Sequence, residues 1–192
     1  MASVKTENVL RGLIVICLAV LVWVVAGTFR ERVVVAGDKA PDFSIVTDSG
    51  HTITRSNFGG KLLVLNFWAT WCPPCIEEIP SLNEFQKRFA ADGVVVLGVS
   101  VDQNPRAYQN FLSRVNVAFL TARDPEAKIS TEYGTFKYPE TYIINRDGRV
   151  VEKIIGATNW TDEAMMTRVK ALLSFFFFQA EDGIRAYKVT GV

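Results

Sequence analysis

The chain is poor in the side chains that most site chemistry needs. Its 192 residues include one histidine and three cysteines, and lysine plus arginine outnumber aspartate plus glutamate by 21 to 20. A lone histidine and the absence of a second CxxC leave too few ligands for a zinc site. The near-zero net charge of +1 and the lack of any basic run exclude nucleic acid as a partner class. Two cysteines share one motif and the third, Cys17, stands far from them, so a disulfide framework is excluded as well. The length allows one domain plus appendages. His51 lies in a strand or turn, and nothing near it in sequence points to catalysis or ligation.

What is present is concentrated in Trp71-Cys72-Pro73-Pro74-Cys75, directly after the apolar run Leu62-Leu63-Val64-Leu65-Asn66-Phe67-Trp68. A buried strand feeding a CxxC that opens a helix places one sulfur at the helix N-terminus. There the unpaired amides and the macrodipole favour a thiolate. Cys72 is the expected nucleophile, partly exposed and of lowered pKa. Cys75, one turn further in, is the expected resolving thiol. Pro73 and Pro74 remove two backbone donors beside the sulfurs.

The uncharged segment Leu13 to Phe29 predicts a transmembrane anchor, with a cleaved signal sequence ending near Val24-Val25-Ala26 as the alternative. Ile16 before Cys17 argues against a lipoprotein signal, and Cys17 reads as a lipid-facing residue. Lys5 and Arg11 nearly balance Arg30 and Arg32, so orientation is weakly marked. The expected organisation is a cytoplasmic segment 1–12, an anchor 13–29, a linker 30–36 and a domain 37–174. From Phe175 onward the run is unlike a protein domain. Gln179-Ala180-Glu181-Asp182-Gly183-Ile184-Arg185 matches the translation of a sequencing-library adapter, with Ala186 as one departure. Residues 175–192 are therefore read as an artefact.

Within the domain, short strands are expected around Phe43–Val46 and His51–Thr54, and a buried strand over Leu62–Phe67. A helix over Pro74–Ala90 should carry Ile79, Leu82, Phe85 and Phe89 near one face and be kinked at Pro80. Val94–Val101 reads as a second buried strand and Pro105–Arg114 as a helix. Asp124-Pro125-Glu126 reads as another helix start. A hairpin of Tyr142–Asn145 and Arg149–Ile155 turns at Arg146-Asp147-Gly148, and a last helix runs from Thr161 to Leu173. Strand–helix alternation followed by a hairpin makes an α/β sandwich with a mixed sheet.

Glu78 lies one turn beyond Cys75 on the same helical face. An acid held beside the sulfurs in apolar surroundings would have a raised pKa, suited to exchanging a proton with a thiol. Glu77 points elsewhere and should be solvated. Tyr138-Pro139-Glu140-Thr141 enters the hairpin, and Pro139 is a candidate cis residue whose loop presents the Tyr138 backbone to an extended client. From the residues alone, an ordinary trans edge proline is the stronger reading.

With these residues assembled, the chain resembles the thioredoxin superfamily, and within it the membrane-anchored TlpA/ResA/CcmG (DsbE) group of thiol-disulfide oxidoreductases. The resemblance rests on Gly37-Asp38-Lys39-Ala40-Pro41-Asp42-Phe43, on Asn66 through Cys75, on Glu78 and Pro80, and on Pro139-Glu140-Thr141. It implies a thioredoxin fold, a mixed central sheet flanked by helices with extra N-terminal strands, behind one transmembrane helix. It implies a cis Pro139, Glu78 as the active-site acid, and Trp71, Tyr138 and Pro139 as client-binding residues. Asn66 stands where cytoplasmic thioredoxins carry a buried aspartate. Bulky Tyr138 departs from the smaller residues common before the cis-proline.

The implied activity is reduction of client disulfides, such as those of apocytochrome c or copper-site assembly proteins. It would proceed outside the cytoplasm at the inner membrane, with electrons from a transmembrane thiol donor and no cofactor beyond the disulfide. Two other readings stay open, a peroxiredoxin-type thiol peroxidase and a copper-binding assembly module. The first expects a threonine three residues before the cysteine, where this chain has Ala69.

Overall fold

The computed structural model describes residues 2–28 and 33–174. Residues 29–32, and the adapter-like segment 175–192, lie outside the described residues. The chain divides into two units, Met1–Val33 and Val34–Val192. The first contains one helix, α1 (Ala2–Thr28). Its 18-residue stretch Asn8–Val25 is long and apolar enough to cross a membrane. At 1.5 Å per residue that stretch rises about 27 Å, close to a ~30 Å hydrocarbon core.

The second unit opens with a small antiparallel hairpin, β1 (Ser44–Val46) and β2 (Thr52–Thr54). Then come β3 (Leu62–Trp68), α2 (Pro73–Phe89), β4 (Val94–Ser100) and α3 (Pro105–Arg114). They are followed by β5 (Leu120–Arg123), α4 (Lys128–Glu132), β6 (Glu140–Ile144), β7 (Val150–Ile155) and a helix α5 at residues 163–174. Five strands form one mixed sheet in the order β5-β4-β3-β6-β7. β3 is central, parallel to β4 and antiparallel to β6, and all seven of its residues are buried.

Alternation along β3 divides the core between the two faces of the sheet. Leu62, Val64 and Trp68 pack with Leu82 and Phe85 of α2, Tyr108 and Phe111 of α3, and Val169 of α5. Leu63, Leu65 and Phe67 pack with Phe43, Ile45, Phe58, Tyr133 and Tyr142 on the other face. Asn66 falls between Val64 and Trp68, and so faces α2 from within an apolar strand.

Two expectations need correcting. Leu120–Arg123 is a strand pairing parallel with β4 at the sheet edge, where none was anticipated. Asp124-Pro125-Glu126 does not start a helix. The Asp124 amide instead donates to Ser100 O (2.7 Å), extending the ladder, and its carboxylate accepts from the Ile129 amide (2.7 Å). The helix begins at Lys128 after Ala127, which takes a left-handed φ of 52°. The helix after the motif runs unbroken from Pro73 to Phe89 with Pro80 inside it. At the β6–β7 turn Gly148 has φ 78°, and Asn145 Oδ1 accepts from the amides of Asp147 (3.1 Å) and Arg149 (2.8 Å).

Candidate active site

The site lies where the parallel strands β3 and β4 end. Ala69, Thr70 and Trp71 connect β3 to α2, and Cys72 is the N-cap of α2 with extended backbone (φ −102°, ψ 101°). Cys72 and Cys75 are joined in a disulfide, with their Cα atoms 5.3 Å apart. Pro73 and Pro74 occupy the first helical positions, so Cys75 supplies the first amide N–H inside the helix.

Cys72 is buried, 5 % exposed against 1 % for Cys75, where partial exposure was anticipated from the motif. The cause is packing. Both cysteines belong to the core cluster with Trp68, Ala69 and Ile79, and Tyr138 packs against it. Trp71 is 63 % exposed and meets the Tyr138 ring edge-on at 6.1 Å between centroids. The Tyr138–Pro139 peptide is cis, and the Tyr138 hydroxyl reaches Ser130 Oγ at 3.3 Å.

Glu78 is 4 % exposed. Asn66 Nδ2 donates to its Oε1 (2.8 Å), while the Thr158 amide (3.3 Å) and Trp160 Nε1 (3.4 Å) donate to its Oε2. Asn66 also donates to Thr141 Oγ1 (2.9 Å) on the neighbouring strand β6. Burial raises the carboxyl pKa above the ordinary glutamate value of 4.5, and the three donors oppose that rise without cancelling it. A surface cavity of about 430 Å³, lined by Glu77, Glu78, Pro80, Ser81 and residues 157–159, adjoins this acid. Glu77 itself is exposed. A larger groove of about 670 Å³, between α2 and the β4–β5 edge, is lined by none of these site residues except Pro80.

On the opposite face, Glu140 follows the cis-proline and is 2 % exposed. It accepts from Tyr142 OH (2.6 Å) and pairs with Lys153 Nζ at 2.5 Å. The structure thus brings Cys72, Cys75 and Tyr138 to one core cluster, with Trp71 against the Tyr138 ring, Pro139 in cis linkage after Tyr138, and Glu78 in the helix behind the cysteines. Glu140 and Thr141 belong to the Pro139-Glu140-Thr141 run singled out in the sequence, but their bonds to Tyr142, Lys153 and Asn66 were not anticipated, and neither were Thr158 and Trp160. For Thr158 and Trp160, 80 and 82 residues from Glu78, no sequence signal exists.

A CxxC that opens a helix, with a buried acid one turn behind it, is a dithiol/disulfide device. Residues 36–153 match the AhpC/TSA family. The thiol-disulfide oxidoreductase ResA of Bacillus thuringiensis subsp. konkukian (strain 97-27) is 33 % identical over 145 residues, covering 75 % of this chain and 84 % of the relative. This chain belongs to the AhpC/TSA family, among the ResA-type thiol-disulfide oxidoreductases. ResA of Geobacillus kaustophilus (strain HTA426) is 32 % identical over 151 residues, covering 78 % of this chain and 87 % of that one. A crystal structure from Chlorobium tepidum, described as a thiol:disulfide interchange protein DsbE, superposes with a TM-score of 0.68 at 32 % identity. It covers 73 % of this chain and 99 % of its own. The ResA-type oxidoreductase therefore has the thioredoxin fold, with the mixed sheet and flanking helices described above.

Proposed function

We propose that this oxidoreductase reduces client-protein disulfides outside the cytoplasm, from a domain tethered to the inner membrane by α1. Cys72 thiolate attacks one sulfur of a client disulfide. The client's other sulfur leaves as a thiolate, and a mixed disulfide remains. Cys75 gives its proton to Glu78 and attacks Cys72 Sγ, releasing the second client thiolate and leaving the Cys72–Cys75 disulfide. Two electrons pass to the client, and a transmembrane thiol donor restores the dithiol. No cofactor besides the disulfide takes part. Trp71, Tyr138 and the cis Pro139 receive an extended client segment beside Cys72. Apocytochrome c and copper-site assembly proteins are the client classes.

The observation that carries this reading is the buried Glu78 one helical turn behind Cys75, an acid whose pKa is raised by burial toward that of a thiol. The test is the reduction potential of the Cys72–Cys75 pair in the full-length chain, by dithiothreitol and glutathione titration in detergent. It is paired with reduction of a CxxC disulfide peptide. A potential near about −270 mV with peptide reduction supports the reductase. A potential near about −120 mV makes the protein a disulfide donor. Peroxide turnover at the expense of a thiol, or tight copper binding without peptide reduction, would replace it with the peroxidase or the copper module.

A further inference from the structure

β3 and β4 end level with each other, Trp68 opposite Ser100, and the ladder continues one step through the Val101 amide to Trp68 O (3.0 Å). Just beyond that step Asp102 is buried, 3 % exposed. Its carboxylate receives three donors. Thr70 Oγ1 donates to Oδ1 (2.6 Å), and the Thr70 amide (2.8 Å) and Ser100 Oγ (2.6 Å) donate to Oδ2. From β5, Arg123 Nη1 holds the main-chain oxygens of Asp102 (3.1 Å) and Gln103 (3.2 Å). A carboxylate accepts all three with full charge, whereas an asparagine would lose that charge and make one hydroxyl turn round to accept from its NH₂.

We propose that Asp102 is a positioning residue for Cys72 and acts through Thr70. Thr70 precedes the exposed Trp71 and the N-cap Cys72, so clamping it fixes the loop from which the sulfur hangs. In the disulfide state the bond to Cys75 also holds that loop. Once the bond opens, the clamp acts beside the Cys72 amide's bond to Ala69 O (3.2 Å), the Ile76 amide's bond to Cys72 O (3.2 Å) and the core packing of Cys72 to keep it in place. The clamp thereby holds the Cys72 sulfur over the start of α2, where Cys75 supplies the first amide N–H because Pro73 and Pro74 have none. A loop free to drift moves the thiolate off that amide and lowers its reactivity. This role rests on the reductase reading for its biological use, and its geometry does not.

The test uses the full-length protein in detergent, reduced with dithiothreitol. The rate of Cys72 alkylation by iodoacetamide is read by peptide mass spectrometry, beside the melting temperature. Thr70→Val keeps the shape and the amide but removes the hydroxyl, and is expected to slow Cys72 alkylation about tenfold, the scale of one hydrogen bond to a charged acceptor. Thr70→Ser restores the hydroxyl and recovers most of the rate. Asp102→Asn slows it at least as much as Thr70→Val, and the double variant is no slower than Asp102→Asn, because both remove the same clamp. A Thr70→Val rate within about twofold of wild type, or a Thr70→Ser rate equal to that of Thr70→Val, overturns the proposal. If Asp102→Asn does not fold, the two Thr70 variants decide alone. Alkylation needs no client, so failure to reduce clients would sink the proposed function and leave this test standing.

Discussion

Replacing Glu78 by glutamine separates the acid's two effects, on rate and on stability. A thiol at its reference pKa of about 8.5 is ionised to roughly 3 % at pH 7, so an efficient proton acceptor gains at most about 30-fold there. Release of client from the Cys72 mixed disulfide, followed in a single turnover by stopped flow, should therefore be about 10- to 30-fold slower in Glu78→Gln at pH 7. The difference should vanish above about pH 9, where the thiol ionises unaided. Stability carries an independent signature. The folded pKa is raised, so Glu78's contribution is fully present below the unfolded value of 4.5 and is lost as pH rises through the folded value. Near pH 4 the protonated acid and glutamine each set one donating group among the donors Asn66, Thr158 and Trp160, so Glu78→Gln should lie within about 1 kcal/mol of wild type there. As pH rises through the folded pKa, wild type loses stability that glutamine keeps, so the difference moves in the variant's favour. Client release as fast as wild type between about pH 6 and pH 8, or a stability gap flat with pH, would refute the reasoning.

Three further outcomes follow from the same geometry. Cys75→Ser should accumulate a Cys72–client mixed disulfide on non-reducing gels, and Cys72→Ser should give none; equal trapping by both would reverse the two thiols' roles. Asn66→Asp sets a second carboxyl at the 2.8 Å contact with Glu78, so the pair must share a proton. Urea unfolding should show a loss of about 3 kcal/mol between pH 4 and pH 7 beyond that of wild type, and a pH-independent difference would contradict it. Gly98→Ala places a methyl 2.7 Å from the Phe119 ring and 3.0 Å from Trp68 Nε1 in the middle of β4. It should cost about 1–3 kcal/mol, read as a fall in Tm, and an unchanged Tm would mean the core yields there.

Much of this site is written locally. The apolar run before the motif, the helix period after it and the turn at Gly148 each lie within a few residues of one another, where periodicity and turn chemistry speak. β5 escaped because Leu-Thr-Ala-Arg is short and half polar, and has a full strand, β4, on one side only, with a single bridge from Thr47 to Ala122 on the other. Asp124-Pro125 has the composition of a helix cap, but the pull of the β4 ladder on the Asp124 amide prevailed over local preference. The turn that results holds Ala127 in a left-handed conformation that usually costs an alanine about 1–2 kcal/mol, which local propensity would have advised against. Asp102 was passed over for the reverse reason. An aspartate after a strand is ordinary in sequence, and only three donors meeting on it in space mark it out.

The bonds from Thr158 and Trp160 to Glu78 also bear on how the protein is made. Synthesis delivers both cysteines and Glu78 some 80 residues before the amide and indole that complete the acid's surroundings. A growing chain holding only the first half of the domain carries the thiols with a glutamate still in water and of ordinary acidity. When residues 156–160 dock, near the end of the fold, the Thr158 amide and the Trp160 indole bind the carboxylate and draw its pKa back from the value that burial alone would give. Assembly order thus withholds the complete hydrogen-bond set of Glu78 until the domain is nearly whole.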